Sequence, residues 1–136
     1  MDEPWWKYHR AEVKKTFAGD LYSHGQRSGV TKIRHPYFAR KGQNSGAGAI
    51  AIAHHFGARR VILLGYDCQH TGGRRHWHGD HPKGGGSGNA GTVANWPEQF
   101  KELHRMVPGL EIINCSRVTA LTMFPRAKLE DALNEN

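Results

Sequence analysis

The stretch from Asn44 to Asp67 constrains the fold more than any other part of the sequence. Ser45 to Phe56 is rich in small residues (Gly46, Ala47, Gly48, Ala49, Ala51 and Ala53), with Asn44 or Ser45 ahead of it and Gly57 behind. A side-chain acceptor at the N-cap and a glycine after the last turn satisfy the two ends of a helix. A helix surfaced with glycine and alanine can lie close against its neighbour. The next segment, Val61-Ile62-Leu63-Leu64, is continuously apolar and stops at Gly65-Tyr66-Asp67. A half-exposed strand would alternate polar and apolar residues, so the unbroken run predicts a central parallel strand covered on both faces.

The remaining segments extend that pattern. Residues 97–107 read as a helix with Pro97 in its first turn and Phe100, Leu103, Met106 and Val107 on one side. Pro108-Gly109 breaks it, Leu110 to Ile113 is a second buried strand, and Lys128 to Leu133 is a short closing helix. Upstream, residues 4–17 read as a helix. Asp2 and Glu3 sit at its positive end, Trp6, Arg10, Val13 and Phe17 fall at helical spacing, and Gly19 ends it. Leu21-Tyr22-Ser23 and Val30-Thr31-Lys32-Ile33 are short strand candidates either side of a polar turn at 25–29, and 36–44 reads as a basic loop. Strands alternating with helices predict one α/β domain over residues 1–136: a small Rossmann-like parallel sheet flanked by helices.

Nineteen Lys and Arg against twelve Asp and Glu give a net charge of +7, which favours anionic partners. The cations come in pairs (Lys14-Lys15, Arg59-Arg60, Arg74-Arg75) rather than blocks. A small anionic ligand therefore fits better than a dedicated nucleic-acid surface, without excluding nucleic acid. The start Met1-Asp2-Glu3 leads into no signal-like apolar segment, and no run approaches membrane-spanning length. The expectation is a cytoplasmic protein with no membrane partner, whose Cys68 and Cys115 are free thiols.

In open parallel sheets, ligands bind beyond the carboxyl ends of the strands. Gly65 and Asp67 follow one such end and Asn114 and Ser116 the other. Asp67 would meet a ribose hydroxyl, a sugar or a metal, or else cap a turn. Asn114 and Ser116 would contact ligand or hold their loop by hydrogen bonds. Asn44, Ser45 and Gly46 open a helix whose free N–H groups suit phosphate or carboxylate. Gly46-Ala47-Gly48-Ala49-Ile50-Ala51 even fits G-x-G-x-x-A, but polar, basic residues stand where that dinucleotide motif needs a strand. The long loop from 66 to about 95 carries His76-Trp77-His78-Gly79-Asp80-His81. His76, His78 and His81 are candidate ligands for a divalent metal. His76, His78 and Asp80 are equally candidates for acid/base work, and loop hydrogen bonding is the third reading. No Gly-x-Ser-x-Gly elbow is present, and Cys115 has no activating neighbour in sequence.

Asn44-Ser45-Gly46, Ala53 through Gly57, Val61 through Asp67, Thr71-Gly72-Gly73-Arg74 and the segment from His76 to His81 together resemble a group of phage and prophage proteins of the norphogenetic type. More distantly, the chain is similar to the 6-hydroxymethylpterin diphosphokinase-like domain family and to sialyltransferase-like folds. Those relatives share a helix entered through Ser-Gly, a strand ending in Gly-x-Asp and a later strand ending in Asn. That last feature corresponds here to Ile112-Ile113-Asn114-Cys115-Ser116, followed by Thr119-Ala120-Leu121. The resemblance spans about residues 4–133. It implies a Rossmann-like sheet that binds a nucleotide or nucleotide sugar in the manner of a transferase, with a bacterial host's cytoplasm as its location. The relatives' N-terminal strand and Gly-rich loop have no counterpart in this sequence. Their lack implies open strand edges and hence a homo-oligomer. The alternative is a non-catalytic phage accessory or assembly protein, with the His cluster binding a metal.

Overall fold

The computed structural model describes residues 3–39, 43–70, 72–73 and 90–134. Helix α1 spans Glu3–Thr16, strands β1 and β2 are Tyr22–Ser23 and Thr31–Lys32, and helix α2 spans Ser45–His55. Strand β3 (Arg60–Leu63), helix α3 (Trp96–Arg105), strand β4 (Glu111–Asn114) and helix α4 (Leu129–Asn134) complete the order. The chain is thus a mixed α/β structure that, among the described residues, contains two separate two-stranded parallel pairs, β1–β2 and β3–β4. No helix among the described residues is long and apolar enough to cross a membrane.

Both ends of α2 follow from local sequence. Asn44 is in extended conformation, and its side-chain oxygen accepts the Ala47 N–H at 2.7 Å. At the other end Gly57 takes φ +85°, with Gly57 N–H bonded to His54 O and Ala58 N–H to Ala53 O. These two bonds form a Schellman stop, which requires the left-handed conformation that glycine adopts without strain. The chain then enters β3, which pairs in register with β4 from Arg60 opposite Glu111 to Leu63 opposite Asn114. Between the two strands, a short 3₁₀ helix at Ala90–Asn95 leads into α3, which has Pro97 in its first turn.

One core lies around this pair. Ala47, Ile50 and Ala51 from α2 meet Leu63, Ile112, Phe100 and Leu103, and Leu121 and Phe124 close it from the C-terminal segment. In β4 the consecutive residues Ile112 and Ile113 are both buried, so both faces of that strand are covered, as an unbroken apolar run requires. Strand β3 departs from expectation. Only Leu63 is fully buried, and Leu64, at the end of its run, is 56% exposed. The reason is position: among the described residues β3 has a strand neighbour on one side only.

The N-terminal third is built differently. β1 and β2 run parallel although only residues 24–30 connect them, held by Thr31 N–H to Leu21 O and Ile33 N–H to Ser23 O, both at 2.8 Å. The Ser23 hydroxyl folds the connection by accepting Gly25 N–H and Arg27 Nε. Residues 36–39 form a 3₁₀ turn that buries Tyr37, where the sequence predicts only a basic loop. Tyr37 explains the difference: its ring joins the core, and its hydroxyl accepts the Asn44 N–H at 3.3 Å just ahead of α2. Helix α1 stays mostly exposed, with Tyr8 at 65% and Phe17 at 54%. Lys14 Nζ donating to Ser28 O and Arg27 over the Trp6 ring tie it to the rest.

Candidate functional site

Beyond the carboxyl ends of β3 and β4 the chain makes two loops that interlock. After β3, Gly65 at φ +71° and Cys68 at φ +50° turn the backbone sharply. The second position is costly for a residue with a Cβ, and it persists because the surrounding bonds determine it. The Tyr66 N–H donates to the Ser116 hydroxyl at 2.8 Å, the Thr119 hydroxyl donates to Tyr66 O at 2.6 Å, and the Ala120 N–H donates to Asp67 O at 2.8 Å. Each bond runs from the loop after one strand to the loop after the other. The Asp67 and Ser116 segments are therefore held side by side.

Asn114 organises the second loop from inside. It is fully buried, its amide nitrogen donates to Leu121 O at 3.1 Å and Thr119 Oγ at 3.4 Å, and its side-chain oxygen accepts the Ser116 N–H at 3.0 Å. Its backbone N–H reaches Pro125 O, and residue 126 bridges to it in parallel fashion, extending the sheet by one more position. The Asn114 side chain is thus occupied within the fold, while Ser116, whose hydroxyl accepts the Tyr66 N–H, also lines the cleft beyond the strand ends.

The two interlocked loops and the start of α4 enclose an open cleft of about 830 Å³. Gly65 and Asp67 line it from the loop after β3, and Arg117, Arg126 and Lys128 bring positive charge that Glu130, also in the lining, offsets in part. Arg126 is held in place, one of its terminal nitrogens donating to both Ser116 O (2.8 Å) and Arg117 O (3.0 Å). Arg117 and Lys128 are exposed, and neither is in an ion pair with a described residue. Cys115 also lines the cleft, while Cys68 is buried. Burial, then the charge of Asp67, pushes the Cys68 thiol up to about 11, so it stays protonated at neutral pH and is no nucleophile there.

The start of α2 lies on the inner side of the β3 loop rather than in the cleft. Asn44 spends its side chain on the Ala47 N–H and on donation to Gln99 Oε1 at 2.8 Å, and Ser45 is exposed. Gly46 is where the Tyr66 ring closes on the helix: a Cβ there would stand 2.9 Å from a Tyr66 ring carbon, and the Tyr66 hydroxyl donates to Gly46 O at 3.3 Å. Sequence reasoning associated this glycine with phosphate, whereas its neighbour in the fold is an aromatic ring. His76, His78, Asp80 and His81 lie outside the described residues. Among the described residues no three His, Cys, Asp or Glu side chains converge into a metal site.

The tying residues Tyr66, Thr119 and Arg126, and the cations Arg117 and Lys128, were not singled out as site residues from the sequence. Tyr66 sits between Gly65 and Asp67, so the turn itself was a signal for it. Arg126 offered none, because its partners are backbone carbonyls nine and ten residues away. No protein-family model matches the chain, and no curated protein or solved structure matches it.

Proposed function

We propose that the cleft between Asp67 and the Arg117, Arg126 and Lys128 group binds a small anionic ligand, a nucleotide or a nucleotide sugar. One observation carries this reading: a cleft lined by three cations, Arg117, Arg126 and Lys128, and by two carboxylates, Asp67 and Glu130, lies beyond the carboxyl ends of two paired parallel strands. Doubly wound sheets bind ligands at that position, and the β3–β4 pair with its third position at Arg126 is consistent with a fragment of such a Rossmann-like sheet. In this arrangement the cations meet the phosphates, and Asp67 accepts from a sugar hydroxyl or binds a divalent ion that the phosphates bring. Asn114 and Ser116 act as positioning residues. The transferase-like and phage-type character rests on the sequence resemblance alone, which leaves acid/base work to His76, His78 and Asp80. The single-sided pairing of β3 among the described residues supports self-association, which sedimentation at increasing concentration checks.

Calorimetric titration with a panel of nucleotides and nucleotide sugars, with and without Mg²⁺, tests the proposal. Saturable binding that is lost in Asp67→Ala and weakened about tenfold in Arg117→Ala supports it. Silence across the panel rejects it and leaves the accessory-protein reading.

A further inference from the structure

We infer that the protein has a second ligand site, remote in sequence from the cleft. It is a groove along β2 and the 36–39 turn that takes a small dianionic oxyanion of the sulfate or phosphate kind. The groove has a volume of about 390 Å³; Lys32 and Arg34 line it together with the His24 and His35 rings and Phe38. No carboxylate is among its described lining residues.

Among the described residues the charge pattern is one-signed. Lys32 and Arg34 are exposed, and neither pairs with a carboxylate among the described residues. His24 faces Arg27 from the β1–β2 connection, and His35 faces His54 and His55 from α2. Burial first, and nearby positive charge after it, hold both imidazoles below the ordinary histidine value of 6.5. A bound dianion would relieve that repulsion and stabilise a protonated His24 ring, so anion binding and proton uptake at His24 are coupled. The floor is preformed: the His24 ring stacks on Phe38 at 4.9 Å with 15° between planes, and His35 sits edge-on to the same ring. An apolar floor under a cationic rim strengthens attraction for an anion relative to open water.

Hydrogen bonding argues against the other ligand that imidazoles suggest, a metal. His35 Nδ1 accepts the Tyr37 N–H at 3.2 Å, which leaves Nε2 carrying the proton toward His54 Nδ1 at 3.3 Å. A neutral ring bound to metal through Nε2 must carry its proton on Nδ1, where it would point at the Tyr37 N–H.

The test follows the histidine ring signals by NMR during titration with sodium sulfate, which keeps its charge as pH changes, against sodium chloride of equal ionic strength. Saturable shifts of the His24 and His35 rings are expected, identified by their absence in His24→Gln and His35→Gln. The double variant Lys32→Ala/Arg34→Ala, altered only at exposed side chains, should weaken binding at least about tenfold. Lowering the pH from about 7.5 to about 6 should tighten it about threefold or more. Shifts matched by chloride, a double variant that binds like the parent, or affinity that falls on acidification would each overturn the proposal. Arg117→Ala and Asp67→Ala should leave sulfate binding at this groove unchanged, so its failure and that of the nucleotide cleft are separately visible.

Discussion

The molecule contains the same motif twice, a two-stranded parallel pair, with very different support. β3–β4 extends over four residues per strand, is packed against the core and has β4 buried on both faces. β1–β2 extends over two, and Ser23 is the single buried side chain in it. Parallel pairing provides no tight turn and slightly weaker bonds than antiparallel pairing, so burial must stabilise it. In β3–β4 that burial comes from α2 and α3. In β1–β2 the Ser23 hydroxyl bonds and the Tyr22–Phe56 ring contact, at 4.9 Å, stand in for it. The pair with deep support carries the interlocked loops and the cleft; the pair with shallow support carries the one-signed groove.

Truncation in the core of the deep pair should have the largest effect. Phe100→Ala removes a ring that is 2% exposed and packs against Tyr66 and Phe124. A loss of about 3–5 kcal/mol is expected in urea unfolding. Tyr22→Ala in the shallow pair should cost less than about 1 kcal/mol by the same measurement, and equal losses would mean that the two pairs are not differently supported. Next in size, Asn114→Ala strands the Leu121 carbonyl and the Ser116 N–H inside the protein and should cost about 1–3 kcal/mol. Amide exchange at Tyr66 and Ala120 should rise with it, because the loops would no longer be held together.

Two glycines on α2 give a smaller, signed contrast. A Cβ at Gly46 meets the Tyr66 ring at 2.9 Å, whereas one at Gly48 meets the Phe38 ring at 3.4 Å. Alanine is favoured over glycine in a helix by about 1 kcal/mol. Gly48→Ala should therefore be neutral or raise the melting temperature, while Gly46→Ala should lower it by displacing Tyr66. The smallest effect is with pH. Because the folded pKa of His35 lies below 6.5, the unfolded chain takes up the proton first. The stability contributed is complete above 6.5 and declines as pH falls from there toward the depressed value. Amide exchange should show the 31–39 segment loosening before β4 does, and a uniform response would merge the two regions into one unit.

What the sequence determined by itself is local. Asn44 and Gly57 set the ends of α2 and the apolar runs locate β3 and β4 to within a residue, because caps and periodicity act over a few neighbouring positions, whereas α3 ends at Arg105, two residues short of the stretch expected ahead of Pro108-Gly109. The tertiary structure decided everything that depends on which distant segments meet. It packed Tyr66 on Gly46, tied Asn114 and Ser116 into the interlocked loops, and brought Arg117, Arg126, Lys128 and Asp67 into the lining of one cleft. It also gathered His24, Lys32, Arg34 and His35 around Phe38. Side chains separated by tens of residues share no local periodicity, so their meeting is set by how the buried faces of α2, α3 and β4 pack, and no single segment records it.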